Sequence, residues 1–314
     1  VTAHLVDQGF DVRGVDRVEG FDGIDYRQCD LLDAEALKPH IEGVDTVLHL
    51  AAIPSPGKAP NADIFQINTA GTFNVFDVCA QVGVGRVVVA SSINAVGYFF
   101  GAVPFELDYL PADEDHPKLT SDAYSFSKQV TEDIGRYFWQ RDGITNTCLR
   151  FGAGLRPVQE IRERQVPGFL AARALIEELQ TKEPDEQRSE LRRMQVAYDN
   201  ERKERRYERG TGRTPELTPE EHRLMALRHN YFSFVALEDA CRGMELSLTS
   251  DYEGSHPLLI VDGNNTLMMD AGVLANLVYP EVAVRGGLEG AQSLVSPERA
   301  RDLVGFETRI HAGE

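Results

Sequence analysis

A tyrosine and a lysine four residues apart are the side chains in this sequence best suited to proton transfer. They lie in Tyr124-Ser125-Phe126-Ser127-Lys128, and two hydroxyls, Ser91-Ser92, precede them by about thirty residues. On a helix, residues i and i+4 share a face, so the phenol and the ammonium can meet. A tyrosine is a poor base because its pKa lies near 10, and a fixed positive neighbour lowers that pKa. A hydroxyl placed opposite could polarise a carbonyl or an alcohol, which completes a proton-transfer site.

Two predicted elements would hold these residues in place. The spacing of Phe126, Val130, Ile134 and Phe138 predicts a helix over 124–140 that buries all four side chains. Ser91-Ser92 ends the apolar run 86–92, which predicts a buried strand. Tyr-x-x-x-Lys alone is common on amphipathic helices, so the case for chemistry depends on the fold around it.

Strands and helices alternate through the first half of the sequence. The predicted helices cover 1–10, 33–41, 62–82 and 124–140, and the predicted strands cover 12–16, 45–50, 86–92 and 145–151. This alternation indicates the α/β class, with a doubly wound parallel sheet of the Rossmann type. In such sheets ligands bind beyond the carboxyl ends of the strands. Four sites follow predicted strand ends: Asp16, Ala52, Ser91-Ser92 and Gly152.

The pattern changes in the second half, residues 155–314, for which we predict a smaller substrate lobe. A charged insertion at about 182–209 has nine basic and eight acidic residues up to Arg209. We interpret it as a solvated helix ending at the turn Gly210-Thr211-Gly212; a lid over the substrate or an oligomer contact are the alternatives. The remaining predictions are a helix capped by Thr218, a strand at 232–236, a helix at 238–248, a strand at about 257–261 that returns to the main sheet, and a helix at 297–304.

Composition and charge exclude several classes of protein. The 314 residues are 42% apolar and 26% charged, as in soluble globular proteins. A net charge of −18 argues against nucleic acid as a partner. No apolar run approaches the ~18 residues of a membrane span, and the first residues lack a signal-peptide pattern. The scattered cysteines predict reduced thiols in the cytoplasm and neither a disulfide framework nor a metal site: Cys29, Cys79, Cys148 and Cys241.

Arginines outnumber lysines 26 to 6 in this acidic chain. Strong acidity with little lysine suggests adaptation to high salt. A GC-rich genome would also favour arginine over lysine, so both explanations stay open. Activity and melting temperature measured across a salt series distinguish them.

An ordered set of short motifs makes the sequence resemble the extended short-chain dehydrogenase/reductase family, also called the NAD-dependent epimerase/dehydratase family. The resemblance covers residues 1–154 closely and 231–308 more loosely. It rests on elements in the family's order: Asp16, Cys29-Asp30-Leu31, His49-Leu50-Ala51-Ala52, Asn68, Ser91-Ser92 and Tyr124-x-x-x-Lys128. Each motif is weak alone, and their order gives the resemblance its weight. It implies a Rossmann-type NAD-binding domain over 1–154, hydride-transfer chemistry and a homodimer.

The resemblance assigns the first of these residues to the adenosine half of NAD. Asp16, at a strand end, would accept hydrogen bonds from both ribose hydroxyls, which favours NAD over NADP. Arg17 beside it would also lie at the cofactor and leaves NADP open, and a turn cap is the structural alternative for Asp16. Asp30 would bind the adenine amino group, with Leu31 packed on the ring.

The other motifs would contact the rest of the cofactor and the substrate. Leu50-Ala51-Ala52 would let the cofactor approach the backbone closely. Asn68 would hold the helix backbone near the site, and a purely structural buried asparagine is an equal alternative. Lys128 would lower the pKa of Tyr124 and bind the nicotinamide ribose. Ser92 would orient the substrate oxygen, with Ser91 as its neighbour at the strand end.

The sequence departs from the family at its beginning. A dinucleotide fold needs a first strand and a glycine-rich turn that admits the pyrophosphate at a helix N-terminus. The sequence begins within the helix that follows that turn, and neither Gly83/Gly85 nor Gly152/Gly154 stands in the place of such a turn. The expectation from this alone is an incomplete NAD-binding domain and weak NAD binding by the chain as written.

The predicted activity is NAD-dependent hydride transfer on a secondary alcohol of a sugar or nucleotide sugar, as an oxidoreductase or an epimerase. The segment 91–98 looks more like the uronate-dehydrogenase branch, which gives oxidation of a free sugar acid as an alternative. A non-enzymatic NAD-sensing scaffold is the alternative from another class. Arg150, Arg156 and Arg285 are candidate partners for a substrate carboxylate or phosphate. By resemblance, the helices around 66–82 and 124–140 would pair across a dimer.

Overall fold

The computed structural model describes residues 1–20, 23–204 and 216–312. Its helices alternate with short strands as the sequence predicted. The strands are β1 Arg13–Asp16, β2 Asp25–Gln28, β3 Val47–His49, β4 Arg86–Ala90, β5 Tyr109–Leu110, β6 Thr145–Phe151, β7 Ser255–Ile260 and β8 Ala283–Val284. The helices are α1 Thr2–Asp7, α2 Ala34–Ile41, α3 Asn61–Val82, α4 Ala123–Asp142, α5 Val158–Arg164, α6 Val166–Gln180, α7 Pro184–Glu204, α8 Pro219–His229, α9 Leu237–Thr249, α10 Ala271–Val278 and α11 Glu298–Val304.

The central sheet is parallel, with strand order β3-β4-β6-β7. The late strand β7 pairs with β6 over its whole length, from Asn146–Ser255 to Phe151–Ile260. β1 and β2 pair with each other and form a second parallel sheet within the described residues. β5 and β8 pair as a third, two-stranded parallel sheet. The predicted α/β class is confirmed, and the expectation of one continuous sheet is corrected to three separate sheets among the described residues.

Alternating side chains of β4 explain why helices cover both faces of the central sheet. Val87 and Val89 pack into a cluster with α2, α3 and α4, whereas Val88 packs into another with α1, α9 and α11. Successive strand residues point to opposite faces, and this strand is apolar at every one of these positions. A strand buried on both faces is therefore sandwiched between two helical layers, which gives the doubly wound arrangement.

Several element boundaries follow from local capping. The Asp33 side chain accepts from the Ala36 amide at 3.0 Å and begins α2, as its sequence predicted. At the start of α8, Thr218 and Glu221 hydrogen-bond each other's amides in a reciprocal capping box. α1 ends at Asp7, just before Gly9, whose φ of +89° is a left-handed conformation. The predicted helix 1–10 was therefore too long.

The predicted strand at 232–236 is wrong. Tyr231 and Phe232 have left-handed φ angles of 58° and 51°, which an extended strand does not contain. Among the described residues, the β-bridge pairing of this segment is limited to Gly154–Val235. The apolar run instead fills the large core cluster of the second half. A short buried run has the same composition in a strand and in an irregular core segment, so periodicity could not separate them.

The charged insertion is helical as far as it is described. α7 covers Pro184–Glu204, and the predicted end of the insertion at Gly210-Thr211-Gly212 lies outside the described residues. Among the described helices, none is long and apolar enough to cross a membrane.

Candidate active site

The residues of the Tyr-x-x-x-Lys motif lie on the buried face of α4. The Asp122 side chain accepts from the Ser125 amide at 2.7 Å and fixes the start of the helix. Tyr124, Lys128 and Glu132 follow at intervals of one turn, and their exposed fractions are only 6%, 4% and 7%. The helix thus presents a phenol, an ammonium and a carboxylate in a row beside the ends of β4 and β6.

Tyr124 and Ser92 are brought together as predicted. Burial raises the pKa of Tyr124 to about 12, and hydrogen bonding with the Ser92 side chain acts in the opposite direction. The Lys128 ammonium lies 5.8 Å from the centre of the Tyr124 ring. The expectation of a lowered pKa for Tyr124 is not met here, because loss of hydration outweighs the nearby polar groups. The phenol is therefore protonated at neutral pH in this structure.

Lys128 is fully enclosed and donates from Nζ to the Ala90 carbonyl oxygen at 2.7 Å. Burial lowers the pKa of Lys128 to about 8, while the charge of Glu132 acts to raise it. A lysine with this pKa changes its charge close to neutral pH. It is also anchored to the end of β4, next to Ser91 and Ser92.

Ser91 has a different role from Ser92. Its hydroxyl donates to Glu132 Oε1 at 2.9 Å, and Glu132 receives two further bonds from Arg150, from Nε at 2.8 Å and from Nη2 at 2.9 Å. Burial acts to raise the pKa of Glu132, but the charge and hydrogen bonds of Arg150 outweigh it and the pKa is lowered. The prediction that Arg150 could hold a substrate anion is therefore corrected, since this guanidinium is 1% exposed and committed to Glu132.

Glu132 was missed by the sequence analysis, although a signal was available. It continues the interval of four that relates Tyr124 to Lys128, which places it on the same helical face. Asn94 was also not assigned a role. Its amide and its side-chain Nδ2 both donate to Ser92 Oγ, at 3.1 and 3.2 Å. These two bonds fix the Ser92 hydroxyl that faces Tyr124.

Asn68 links two segments of the chain in this site by hydrogen bonds. It exchanges hydrogen bonds with the Ile53 backbone, accepting at 2.7 Å and donating at 3.1 Å, and it donates to Ser127 Oγ at 3.0 Å. It therefore links the chain after β3 to α4 at Ser127, the residue that precedes Lys128. Nearby, burial lowers the pKa of His49 to about 3, and the charge of Lys128 adds to the effect. The imidazole is neutral and hydrogen-bonds Thr72 Oγ1 at 3.0 Å.

The predicted adenosine residues lie at the carboxyl ends of β1 and β2. Asp16 is exposed and accepts at Oδ1 from the amides of Arg17 and Val18, so it caps its own turn. Asp30 is exposed and accepts from the Leu32 amide at 2.9 Å. Leu31 is half-buried and borders Gly71 of α3, where an added Cβ would lie 3.3 Å from it. The exposed Arg17 is linked to β2 through its carbonyl, which accepts from Gln28.

The chain after β3 supplies the small residues that were predicted there. Leu50 is 37% exposed, and Ala51 and Ala52 are half-buried. A dinucleotide requires polar partners for its ribose hydroxyls and a backbone that it can approach closely. The chain offers an exposed carboxylate at the end of β1, small residues at the end of β3 and a buried ammonium beside β4. The residues present therefore fit NAD at these positions.

One further prediction is wrong, and the predicted roles of Arg156 and Arg285 stay predictions. Phe126 is 48% exposed and stacks on Phe65 at 5.2 Å, although it was expected in the core with Phe138. Steps of four residues drift by about 40° on a helix of 3.6 residues per turn, so Phe126 has rotated off the face that buries Phe138. Arg156 lies near Glu160 on the surface, at 3.8 Å. Arg285 lies over the Tyr109 ring, 3.4 Å from its centre.

Comparison with known proteins agrees with this geometry. Residues 2–138 match the 3-beta hydroxysteroid dehydrogenase/isomerase family. The chain is 28% identical over 134 residues to a uronate dehydrogenase of Pseudomonas syringae pv. tomato, covering 43% of this chain and 46% of that protein. It is 31% identical over 148 residues to an L-arabinose 1-dehydrogenase (NAD(P)(+)) of Haloferax volcanii, covering 46% and 58%. The chain is therefore similar, over part of its length, to the 3-beta hydroxysteroid dehydrogenase/isomerase family and to dehydrogenases named for a uronate and for L-arabinose.

A solved structure with a similar fold shows how far the likeness extends along the chain. It is a short-chain dehydrogenase/reductase superfamily protein from Agrobacterium tumefaciens with bound NAD, and it superposes with a TM-score of 0.61 at 22% identity. The superposition covers 99% of this chain and 89% of that one. The sequence matches to the two curated dehydrogenases, by contrast, span only about half the length of those proteins. The fold is therefore shared across the chain, whereas the sequence similarity is concentrated in the first half.

Proposed function

We propose that this protein is an NAD-dependent oxidoreductase that transfers a hydride to or from a secondary alcohol of a sugar or nucleotide sugar. The observation that carries the proposal is the buried group of Tyr124, Ser92 and Lys128 at the carboxyl edge of the central sheet. A phenol hydrogen-bonded to a fixed hydroxyl, with an ammonium one turn away, is suited to moving one proton at one oxygen. The relatives named as dehydrogenases support the same reaction class.

The reaction separates an alcohol into a proton and a hydride, and the chain handles the proton. NAD, when bound, supplies the hydride acceptor. Ser92, held by two hydrogen bonds from Asn94, would orient the alcohol oxygen. In oxidation Tyr124 would first lose its own proton to solvent and then, as the phenolate, take the hydroxyl proton of the alcohol. In reduction the protonated phenol would give its proton to the carbonyl oxygen. The protonated phenol is ready for the reducing direction at neutral pH, and the charge of Lys128, one turn away, would favour the phenolate that oxidation requires.

The cofactor would be bound at two separated places on the chain. Asp16 and Asp30 would bind the adenosine half, with Arg17 and Leu31 beside them. Leu50-Ala51-Ala52 and Lys128 would bind the nicotinamide half, with Asn68 fixing the backbone between them. The exposed carboxylate of Asp16 favours the free ribose hydroxyls of NAD over the phosphate of NADP.

A free sugar acid is the second candidate substrate. The similarity to uronate dehydrogenase over 134 residues supports it, together with the segment 91–98 that contains Ser92 and Asn94. An epimerase would return the hydride to the other face of the same sugar, and the same proton-transfer group would serve it. The two outcomes differ in whether NADH accumulates.

The test is NADH formation followed by absorbance over a panel of uronates, free aldoses and nucleotide sugars, with product analysis of each mixture. Net NADH with one class identifies a dehydrogenase and its substrate. A changed sugar without net NADH identifies an epimerase. NAD binding without turnover of any member of the panel would contradict the proposal and favour a non-enzymatic NAD-sensing scaffold.

We further propose a homodimer, a two-part organisation and a cytoplasmic location. Phe73, Phe126 and Tyr137 lie on α3 and α4 and are 39%, 48% and 44% exposed, which supports pairing of these helices between two copies. Residues 1–154 would carry the cofactor and residues 155–314 the substrate lobe. The four cysteines are buried and free, which supports a reducing compartment. Sedimentation of the protein and of Phe126→Glu tests the dimer, which the charge should dissociate.

A further inference from the structure

Two helices of the second half of the chain, α7 and α8, contact a segment beside the candidate active site. We call α7 and α8 the arm. The buried side of α7 begins with an apolar stripe, Leu191, Met194 and Tyr198, which are 8%, 2% and 2% exposed. The same face continues with Arg202, which is also 2% exposed. A guanidinium thus occupies the buried end of a helix face whose other members are mostly apolar.

Arg202 is bound to the backbone of one short segment, residues 98–101. Its Nη2 donates to the carbonyl oxygens of Tyr98 and Phe100, at 3.1 and 3.0 Å, and its Nε donates to that of Gly101 at 3.0 Å. These three bonds use the fixed planar geometry of the guanidinium, which a lysine cannot reproduce. The end of α7 is therefore bound to the main chain of residues 98–101. This binding does not depend on the side chains that the segment carries.

The second helix of the arm holds the same segment by its side chain. Arg228 donates from Nη1 to the Tyr98 hydroxyl at 2.6 Å. The His229 ring stacks on the Tyr98 ring, with 5.0 Å between centroids and 20° between planes. Both helices of the arm thus converge on Tyr98, one through its carbonyl and one through its ring and hydroxyl.

The segment held by the arm borders the proposed catalytic tyrosine. The Phe100 ring meets the Tyr124 ring edge-on, with 5.9 Å between centroids and 89° between planes. The segment also lies against the chain that leads into α4. Gly97 has a φ of +91°, and an added Cβ there would lie 1.6 Å from the Leu119 carbonyl oxygen. Displacement of residues 98–101 would therefore move Phe100 relative to Tyr124.

The energetics favour a positional role for Arg202 over a stabilising one. Burying a guanidinium is unfavourable unless its donors are satisfied. Arg202 Nη1 is buried without a hydrogen bond, and the nearest carboxylate oxygen in its ion pair, Asp199 Oδ1, lies 3.5 Å away. What the guanidinium adds is a fixed geometry for three carbonyl groups.

We propose that Arg202 is a positioning residue that couples the arm to the active-site wall. By fixing residues 98–101 it sets Phe100 against Tyr124 and so determines which sugar substrates present their alcohol to Tyr124. The catalytic part of this inference rests on the proposed oxidoreductase function, whereas the coupling of the arm to residues 98–101 does not.

The coupling is tested by hydrogen–deuterium exchange on the full chain. In Arg202→Met, amides in peptides covering 97–104 should exchange at least tenfold faster than in the wild type, because the fastening of this segment is lost. Arg192→Met is the matched control, since Arg192 lies on the exposed side of the same helix. Equal exchange in both variants at 97–104 would overturn the inference, whether or not any substrate is found.

The effect on specificity is tested by kcat/KM for a free sugar acid and for a nucleotide sugar. Arg202→Met should change the ratio of the two values at least fivefold, and Arg202→Lys should recover it only in part. Phe100→Leu should change the same ratio without faster exchange at 97–104, and it replaces Arg202→Met if that variant does not fold. An unchanged ratio in both Arg202→Met and Phe100→Leu would show that the wall does not select substrates.

Discussion

The Tyr124–Lys128–Glu132 face of α4 and the Arg202–Arg228 contacts of the arm both bury charged groups, but they bury different kinds. On α4 the buried groups titrate, and burial brings the pKa of Lys128 down to about 8. In the arm the buried cations are guanidiniums, which stay charged at any ordinary pH. Their hydrogen bonds go to carbonyl groups and to a tyrosine hydroxyl.

This difference separates proton chemistry from positioning. A group that exchanges protons must have two accessible charge states. Desolvation destabilises the charged form of Lys128, so its charged and neutral forms become similar in free energy near neutral pH. A group that fixes geometry works better with a single charge state and several rigid donors. Variants on α4 should therefore change activity and its pH dependence, whereas variants in the arm should change which substrate is accepted.

Lys128→Met should separate activity from stability most strongly. Loss of the ammonium should lower kcat/KM by roughly 10² to 10⁴-fold, the range of general acid–base effects. The shift of its pKa from 10.5 to about 8 corresponds to roughly 3 kcal/mol of unfavourable burial. That penalty applies fully below pH 8 and disappears as the pH rises toward 10.5, because the unfolded chain then binds more protons. Denaturant unfolding at pH 7 should therefore show a more stable variant, and a less stable one would contradict the account.

Breaking the Glu132–Arg150 pair should destabilise the protein by about 3–5 kcal/mol, because one buried charge loses its partner. Glu132→Leu leaves Arg150 uncompensated, and the double variant Glu132→Leu/Arg150→Met should recover most of the loss. The exposed pair Arg164–Glu160, at 3.3 Å, is the control. Glu160→Gln should change the free energy of unfolding by less than about 0.5 kcal/mol. Similar losses for Glu132→Leu and Glu160→Gln would contradict the distinction between the buried and exposed pairs.

His49 should make the cofactor half sensitive to acid. Its pKa is lowered to about 3 in the fold against 6.5 for the free side chain, so the unfolded chain binds the extra proton between these values. The contribution of neutral His49 to the free energy of unfolding is then fully present above pH 6.5. It falls by about 2 kcal/mol between pH 6.5 and 5. His49→Gln should flatten the slope of stability against pH in this window, as measured by urea unfolding. An unchanged slope would show that His49 is protonated in the fold.

Asp16→Asn should have the smallest of these effects. Weakening the proposed hydrogen bonds to the ribose should raise the KM for NAD by about tenfold, near 1.4 kcal/mol. Asp16 caps only its own turn, so the unfolding free energy should hardly change. The control is Asp11→Asn, an exposed aspartate just before β1. An unchanged KM in Asp16→Asn would mean that Asp16 is a turn cap and nothing more.

The sequence predicted best where one physical effect dominated. The apolar runs of β4 and β6 could only be buried strands in this alternating pattern, and Thr218 begins α8 as its capping residues indicated. Strand-end and helix-face arguments placed the Ser91-Ser92 pair near Tyr124, and the resemblance to the family selected Ser92. These features depend on local periodicity or on the fold class, both of which can be read from one sequence.

The errors arose where long-range burial decided the outcome. The pKa of Tyr124 depends on its desolvation in the folded protein, which the neighbouring lysine alone could not predict. Arg150 was a plausible anion ligand until β6 placed it against Glu132 on α4. Arg202 gave no local signal at all, because its partners are backbone carbonyls about a hundred residues away. Contacts of this kind depend on tertiary packing and have no pattern in the neighbouring sequence.

The most direct test of the central claim is the steady-state rate of NADH formation by Tyr124→Phe, with Tyr137→Phe as the control on the exposed side of the same helix. The substrate is the best one found in the sugar panel. Tyr124→Phe should lose at least a thousandfold in kcat, because we propose that Tyr124 takes the alcohol proton, and it should keep the wild-type fold by circular dichroism. Tyr137→Phe should retain the wild-type rate. A Tyr124→Phe variant with full activity would contradict the assignment of proton transfer to Tyr124.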